Sequence, residues 1–327
     1  MTNEAHQHPL PGAVDPTAQA NNDNPFRDMS ARVLWTGNAQ ARHLAEIISG
    51  ESARQAFADL ATACIGSRAT LLVARGLLSF DLCNLAVPHG FSSSTTRSVV
   101  AAVGGGPHSL LAATLAYRLS QQLRIPARAV YGHSPPDLGT EAADVLADVS
   151  AHLPNLAVEV IETPSPATMV EEMPAGTLLV VGAPGGSWFH RQFFGPGARM
   201  KANAPSGTII VRSTAARVYQ VMKPAIAFGP DMRVSDALRL SQGRQVVVAL
   251  DGQLLGVASI GALRAGPPDR ELRVVMEEPV FLAADEHIEH ATELINQYQG
   301  NPVPVVDSRG RLVGTVAATD LTRRRET

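Results

Sequence analysis

Apolar residues follow two different rhythms along this chain, and the change between them divides it. From Arg97 to Ser213 short apolar runs alternate with amphipathic stretches. Ser98–Val103 predicts a strand, Gly104-Gly105-Gly106-Pro107 a turn, and Ser109–Gln122 a helix whose apolar positions recur every three to four residues. Strands at Ala127–Tyr131, Ala157–Ile161, Leu178–Val181 and Ile209–Val211, with a helix at Glu141–His152, continue the alternation. Such alternation predicts an α/β fold with an open, mainly parallel sheet covered by helices. Upstream, residues 27–96 predict a small accessory segment: a strand at Arg32–Trp35, helices at Ala39–Ile48 and Ser52–Ile65, and a strand at Thr70–Ala74. Its role is not legible in the pattern. Residues 1–26 hold Asn, Pro, His, Gln and Asp without an apolar run, which predicts a disordered tail and not a signal peptide.

The second rhythm begins near Val218, where two segments of about fifty residues (217–265 and 271–325) lie on each other as an internal repeat. Met222-Lys223-Pro224 matches Met276-Glu277-Glu278-Pro279, and each copy continues with a short strand, a helix (Val234–Leu240; Ile288–Gln297), a strand, a turn and a strand. The turns, Leu250 to Gly256 and Val306 to Gly314, carry similar residues. A tandem repeat of this unit predicts a pseudo-symmetric pair sharing one core.

Composition narrows the function classes. The chain has 327 residues, 45% hydrophobic and 17% charged, with a net charge of -3. It is long and apolar enough for two or three globular domains. No basic patch marks a nucleic-acid surface, and no apolar run reaches the roughly 18 residues of a membrane span. Two cysteines, Cys64 and Cys83, make neither a disulfide framework nor a metal-ligand pattern, which fits a reducing, cytoplasmic setting.

Chemistry concentrates at Leu179-Val180-Val181-Gly182-Ala183-Pro184-Gly185, followed by Gly195 and by Ala204-Pro205-Ser206-Gly207-Thr208. A strand feeding a glycine-rich loop brings backbone N–H groups close to a phosphate. His108, beside the Gly104–Gly106 turn, is a candidate for a further phosphate contact. The G-x2-G-x9-G spacing resembles the universal stress protein (USP) family over about Arg97–Ser213. That resemblance implies a nucleotide site at Gly104, Gly105, His108, Gly182, Gly185 and Gly195. Two positions depart from its ATP-binding members: Gly104 stands where the first strand ends in Asp, and Pro196 where the third glycine is followed by Ser or Thr. Both a working site and a degenerate domain kept for dimerisation remain open.

The repeats resemble a CBS domain pair (Bateman module) over about Arg217–Leu321. In nucleotide-binding members a glycine closes the second strand, Ser or Thr follows three residues later and Asp six residues later. The first repeat has Gly256, Ser259 and Ala262, the second Gly314, Ala317 and Asp320. The resemblance implies one stronger adenosine site, at Asp320 with neighbouring Thr319, and an apolar adenine slot of Val280, Leu282, Val303, Pro304 and Val305. Ser259 marks the weaker one. Asp320 as a plain helix-end residue is the competing reading.

Other candidates are weaker. His287 and His290 stand at helical spacing on a polar helix, where solvation is the ordinary outcome, and no metal site is predicted. Trp188, Phe189, Phe193 and Phe194 suit a subunit interface better than a ligand stack. No nucleophile elbow, Walker lysine or paired carboxylates appear, so catalysis is not expected. The resulting expectation is a cytoplasmic, non-catalytic sensor of AMP, ADP or ATP with no obligatory cofactor, signalling as a homodimer, as both resembled families imply. A receptor for cyclic di-AMP that regulates a transporter, or a ligand-free structural adaptor, stays open beside it.

Overall fold

The structure, a computed structural model, describes residues 32–57, 59–133, 140–164, 166–183, 204–298 and 301–325. The predicted tail at 1–26, Gly185, Gly195, Pro196 and the aromatic group Trp188 to Phe194 lie outside the described residues.

One sheet organises the first two-thirds of the chain. Its strands are β1 (Val33–Thr36), β2 (Arg54–Gln55), β3 (Leu71–Ala74), β4 (Asn84–His89), β5 (Ser98–Ala102), β6 (Ala127–His133), β7 (Ala157–Glu162), β8 (Thr177–Gly182) and β9 (Thr208–Arg212). They lie in the order β2-β1-β3-β4-β9-β8-β5-β6-β7. Every neighbouring pair is parallel except β4 and β9, which run antiparallel with Val87 opposite Ile210. Two parallel halves of opposite direction are thus fused. Residues that enter β1 and β3 consequently share a sheet edge with residues that leave β8 and β9. The segment 27–96, read as an accessory piece, supplies four strands of this single sheet.

Two local readings change. The helix expected at Ser52–Ile65 is a short strand and then a helix over Leu60–Ser67 only. Ala56 N–H bonds to the Trp35 carbonyl at 2.7 Å, and the Asp59 carboxylate caps the helix by accepting from Thr62 N–H at 3.0 Å. Strand β4 was not expected because Pro88 interrupts its apolar run. Pairing with β3 ends at Ala86, so Pro88 lies past the stretch where that neighbour needs its N–H.

Helices α1 (Ala39–Ser49), α2 (Leu60–Ser67), α3 (Gly106–Leu123), α4 (Thr140–His152) and α5 (Pro166–Glu171) cover the sheet. Alternate strand residues divide between the faces, as period two requires. Val99, Ala101, Leu178, Val180 and Ile209 pack with Leu44, Leu115, Ala116 and Leu146 of α1, α3 and α4. Leu34, Leu72, Leu85 and Ile210 face the other way.

The C-terminal part holds two similar units. The first comprises β10 (Ala227–Phe228), α6 (Val234–Leu240), β11 (Val246–Leu250), β12 (Gln253–Ala258) and α7 (Ile260–Ala265). The second comprises β13 (Leu282–Ala283), α8 (Ile288–Gln297), β14 (Val303–Val306), β15 (Leu312–Val316) and α9 (Ala318–Arg325). In each sheet the outer short strand is parallel and the last pair antiparallel. The lead-in segments are exchanged. Lys223 of the first repeat trades backbone hydrogen bonds of 2.8 and 2.9 Å with Thr315 of the second, while Glu277 trades bonds of 2.8 and 3.1 Å with Val257. Glycine is required where they cross. A Cβ on Gly314 would lie 2.7 Å from the Lys223 carbonyl oxygen, and one on Gly256 2.9 Å from that of Glu277. This equivalence sets Lys223 against Glu277 and shifts the two prolines, Pro224 and Pro279, out of register by one residue.

A short turn joins the two parts. Tyr219 is wholly buried, with its hydroxyl 2.8 Å from the Leu82 carbonyl oxygen and 3.0 Å from that of Ala69. Arg217 donates to the Asp81 carboxylate at 3.0 Å, and Gln220 accepts through its carbonyl from Arg32. Leu282, Ala291, Ile295, Val303 and Val305 of the second repeat continue the same apolar cluster as Leu72 and Ile210. Among the described residues, no helix is long and apolar enough to cross a membrane.

Candidate functional site

Two places gather the residues singled out from the sequence. The first is the crevice where β5 and β8 end. From β5 the chain passes through α3 to β6 on one side, then returns to β8 on the other, so this is where the strand order reverses and ligands enter open α/β sheets. Gly105 and Gly106 hold φ of 90° and 75°, which L side chains rarely adopt, and deliver the chain into α3. Ser109, not anticipated from the sequence, fixes this turn. Its hydroxyl accepts from Gly104 N–H and donates to the Gly105 carbonyl, both at 2.9 Å. Gly182 permits α3 to approach: a Cβ there would stand 2.9 Å from the His108 Cβ.

His108 is held in place by its backbone contact. Its Nδ1 accepts from Ser213 N–H at 3.1 Å, so this nitrogen carries no proton. Burial, aided by the charge of Arg212, pushes the imidazole below its usual pKa. At neutral pH the ring is uncharged and offers Nε2–H as its one donor. It is a positioned hydrogen-bond donor beside the ends of β5 and β8.

The second place is the cleft created by the exchanged lead-ins. Gly314 and Thr315 on β15 and Asp320 in the first turn of α9 face Lys223, delivered from the first repeat. Asp320 Oδ2 accepts from Ala317 N–H at 2.9 Å, and Oδ1 forms an ion pair with Lys223 Nζ. The Asp320 side chain is only 6% exposed and the Lys223 side chain 57%, so the lysine lies over the carboxylate. Lys223 was missed in the sequence because it belongs to the other repeat and only the exchange brings it here. Thr319 is exposed beside Asp320.

The matching place in the first repeat is chemically different. Ser259 Oγ caps α7 by accepting from Ala262 N–H at 3.1 Å, and Glu277 stands where Lys223 stands in the other site. The half-signatures have a structural meaning. A capping box needs a hydroxyl at the N-cap and a carboxylate three residues on. Ser259 supplies one half in α7, and Asp320 the other in α9. Asp320 therefore does cap the start of α9, and its carboxylate still has lone pairs to share.

The expected adenine slot divides. Leu282, Val303 and Val305 are buried at 1% exposure or less in the shared core. They support the site from beneath and do not line an open slot. Pro304, opposite Thr315 and hence on the other face of β14, is also buried, whereas Val280 is 40% exposed. His287 is the N-cap of α8, its ring edge-on to His290 with centroids 5.7 Å apart. Among the described residues no group of three or more His, Cys, Asp or Glu is placed to hold a metal.

Residues 270–326 match the CBS domain family. No curated protein matches the chain. About a third of the chain is similar to several solved structures. One is the cytosolic domain of the Mg2+ channel MgtE in complex with ATP, at 27% identity and TM-score 0.31, over 32% of this chain and 47% of that one. This chain thus spans about half the length of that relative. Another is CBSX2 in complex with AMP, at 22% identity and TM-score 0.30, over 33% of this chain and 95% of that one. A third comprises the CBS domains of a transcriptional regulator from Streptococcus pneumoniae, at 20% identity and TM-score 0.31, over 32% of this chain and 96% of that one.

Proposed function

We propose that this chain is a non-catalytic regulator whose CBS pair senses an adenine nucleotide, bound chiefly at the Lys223 and Asp320 end of the cleft. The observation that carries this reading is the pairing of Lys223 with the shielded Asp320 carboxylate across the two repeats. Ribose hydroxyls would replace the ammonium on Asp320, and the released Lys223 would turn to the phosphate. The first-repeat site offers Glu277 in place of Lys223 and Ala262 in place of Asp320, so it repels a phosphate and lacks the ribose acceptor. Unequal sites follow from charge as well as from the half-signature.

Because the second repeat shares its core with the nine-stranded sheet, a shift at the cleft would be felt there. We further propose that the sheet domain is of the universal stress protein type, that the β5 and β8 crevice is its secondary nucleotide site, and that the molecule works as a cytoplasmic homodimer. A thermal-shift screen of the full chain with AMP, ADP, ATP, cyclic di-AMP and GMP tests the reading. A ligand at 100 times its dissociation constant adds about 2.7 kcal/mol, a readily visible shift. Stabilisation by adenine ligands over GMP supports a sensor, and no shift with any of them favours a ligand-free adaptor.

A further inference from the structure

Both cysteines of the chain meet at a place that neither site uses. Cys64 Sγ, on α2, lies 3.8 Å from Cys83 Sγ, in the residue that precedes β4. Both thiols are free and buried. Their mutual hydrogen bond, together with burial, pushes the Cys83 thiol up, so that Cys83 keeps its proton at neutral pH. The pair stands beside the anchors of Tyr219, the residue that ties the repeats to the sheet. The Tyr219 hydroxyl bonds to the Cys83 thiol and to the carbonyl of Leu82, the chain neighbour of Cys83. Its other partner is the Ala69 carbonyl, and the Ala69 N–H bonds to the Cys64 carbonyl at 2.9 Å. Each cysteine thus lies one peptide or one hydrogen bond from a group that holds Tyr219. Shortly after Tyr219 the chain reaches Lys223, which trades backbone bonds with Thr315. The cover over the sulfurs is slight: α2 has eight residues, with Thr62 and Gly66 exposed, so local opening of roughly two turns admits a small oxidant.

We propose that Cys64 and Cys83 form a reversible dithiol–disulfide switch, driven by a peroxide, whose state passes to the repeats through Tyr219. One thiolate attacks a peroxide oxygen, the O–O bond breaks, and a sulfenic acid and hydroxide result. The second thiol attacks the sulfenic sulfur, the S–O bond breaks, and its proton leaves with that oxygen as water. Two thiols thus give two electrons to one peroxide, which becomes two waters. Closing the bond pulls α2 toward the start of β4 and disturbs the carbonyls that hold Tyr219. The test treats the folded full chain with excess hydrogen peroxide and then follows peptide mass and amide hydrogen exchange. The expected product is a Cys64–Cys83 crosslink that dithiothreitol reverses. The Val218, Tyr219 and Lys223 amides, bonded to Glu286, Ala284 and Thr315, should then exchange about fivefold faster, the equivalent of one hydrogen bond weakened by about 1 kcal/mol. Dithiothreitol should restore the slow exchange, which separates the disulfide from oxidation of Met222, since it does not reduce a sulfoxide. Cys64→Ala should show no peroxide effect on these amides; if that variant does not fold, reversal in wild type decides. Thiols that stay free, or oxidise singly to sulfinic acids, would overturn the switch, and a crosslink without faster exchange would overturn its transmission through Tyr219.

Discussion

Replacing Gly314 by Ala tests the exchanged lead-ins, on which the cleft depends. The new methyl group would sit 2.7 Å from both the Lys223 carbonyl oxygen and the Met222 Sδ, where ordinary contact begins at 3.4 Å. Gly314 does not hold a positive φ, so the cost is steric and not conformational. Relief requires Met222–Lys223 to back away by about 0.7 Å, the difference between those distances. That motion stretches the two bonds of 2.8 and 2.9 Å between Lys223 and Thr315. Overpacking costs about 1–3 kcal/mol and each weakened bond up to about 1 kcal/mol, so a loss of about 2–4 kcal/mol is expected. Scanning calorimetry should show the melting temperature falling by roughly 4–16 °C, at about 2–4 °C per kcal/mol. Gly256→Ala should act in the same direction, since its methyl group would lie 2.9 Å from the Glu277 carbonyl oxygen. Gly261→Ala is the control: no atom lies nearer than 3.8 Å, and alanine in α7 should stabilise by about 0.5–1 kcal/mol. If Gly314→Ala changes stability by less than about 0.5 kcal/mol, the crossing is not as close as described.

Two further outcomes follow. Tyr219→Phe removes the hydroxyl that serves the Ala69 and Leu82 carbonyls, and urea denaturation should show a loss of about 1–3 kcal/mol; an unchanged midpoint would mean that this residue does not tie the two parts together. His108 has a folded pKa below the ordinary 6.5, so the unfolded chain binds more protons just below pH 6.5 and stability falls as the pH drops through that window. His108→Asn, which keeps an acceptor for Ser213 N–H without a titrating ring, should show a shallower acid slope in melting temperature, and an identical slope would refute the assignment.

Legibility in the sequence followed from how local each signal is. Strands β5 to β9 and helices α6 and α8 are continuous apolar or amphipathic runs, and their bounds matched to within two residues or so. Strand β4 escaped because Pro88 breaks its run, and the fused sheet escaped with it, since the antiparallel pairing to β9 joins positions more than a hundred residues apart. The repeat was visible as similarity, but the exchange was not. Nothing in either copy says that Lys223 serves the opposite one, so Asp320 was legible while its partner was not. Leu282, Val303 and Val305 read as a ligand slot, because an apolar run does not tell which face of a strand meets the rest of the protein. Ser109 and the neutral state of His108 depend on the turn geometry and on Ser213, neither of which a spacing pattern encodes.

Calorimetric titration of AMP and adenosine into wild type, Asp320→Ala and Lys223→Gln decides whether the Lys223 and Asp320 pair holds a nucleotide. Asp320→Ala should weaken both ligands by about tenfold or more, in keeping with the 1.5–3 kcal/mol of a hydrogen bond to a charged group. Lys223→Gln should weaken AMP while leaving adenosine bound as tightly or more tightly, because the lysine both meets the phosphate and shields the carboxylate. Equal affinities of wild type and Asp320→Ala for both ligands would mean that Asp320 is a helix cap alone and holds no ribose.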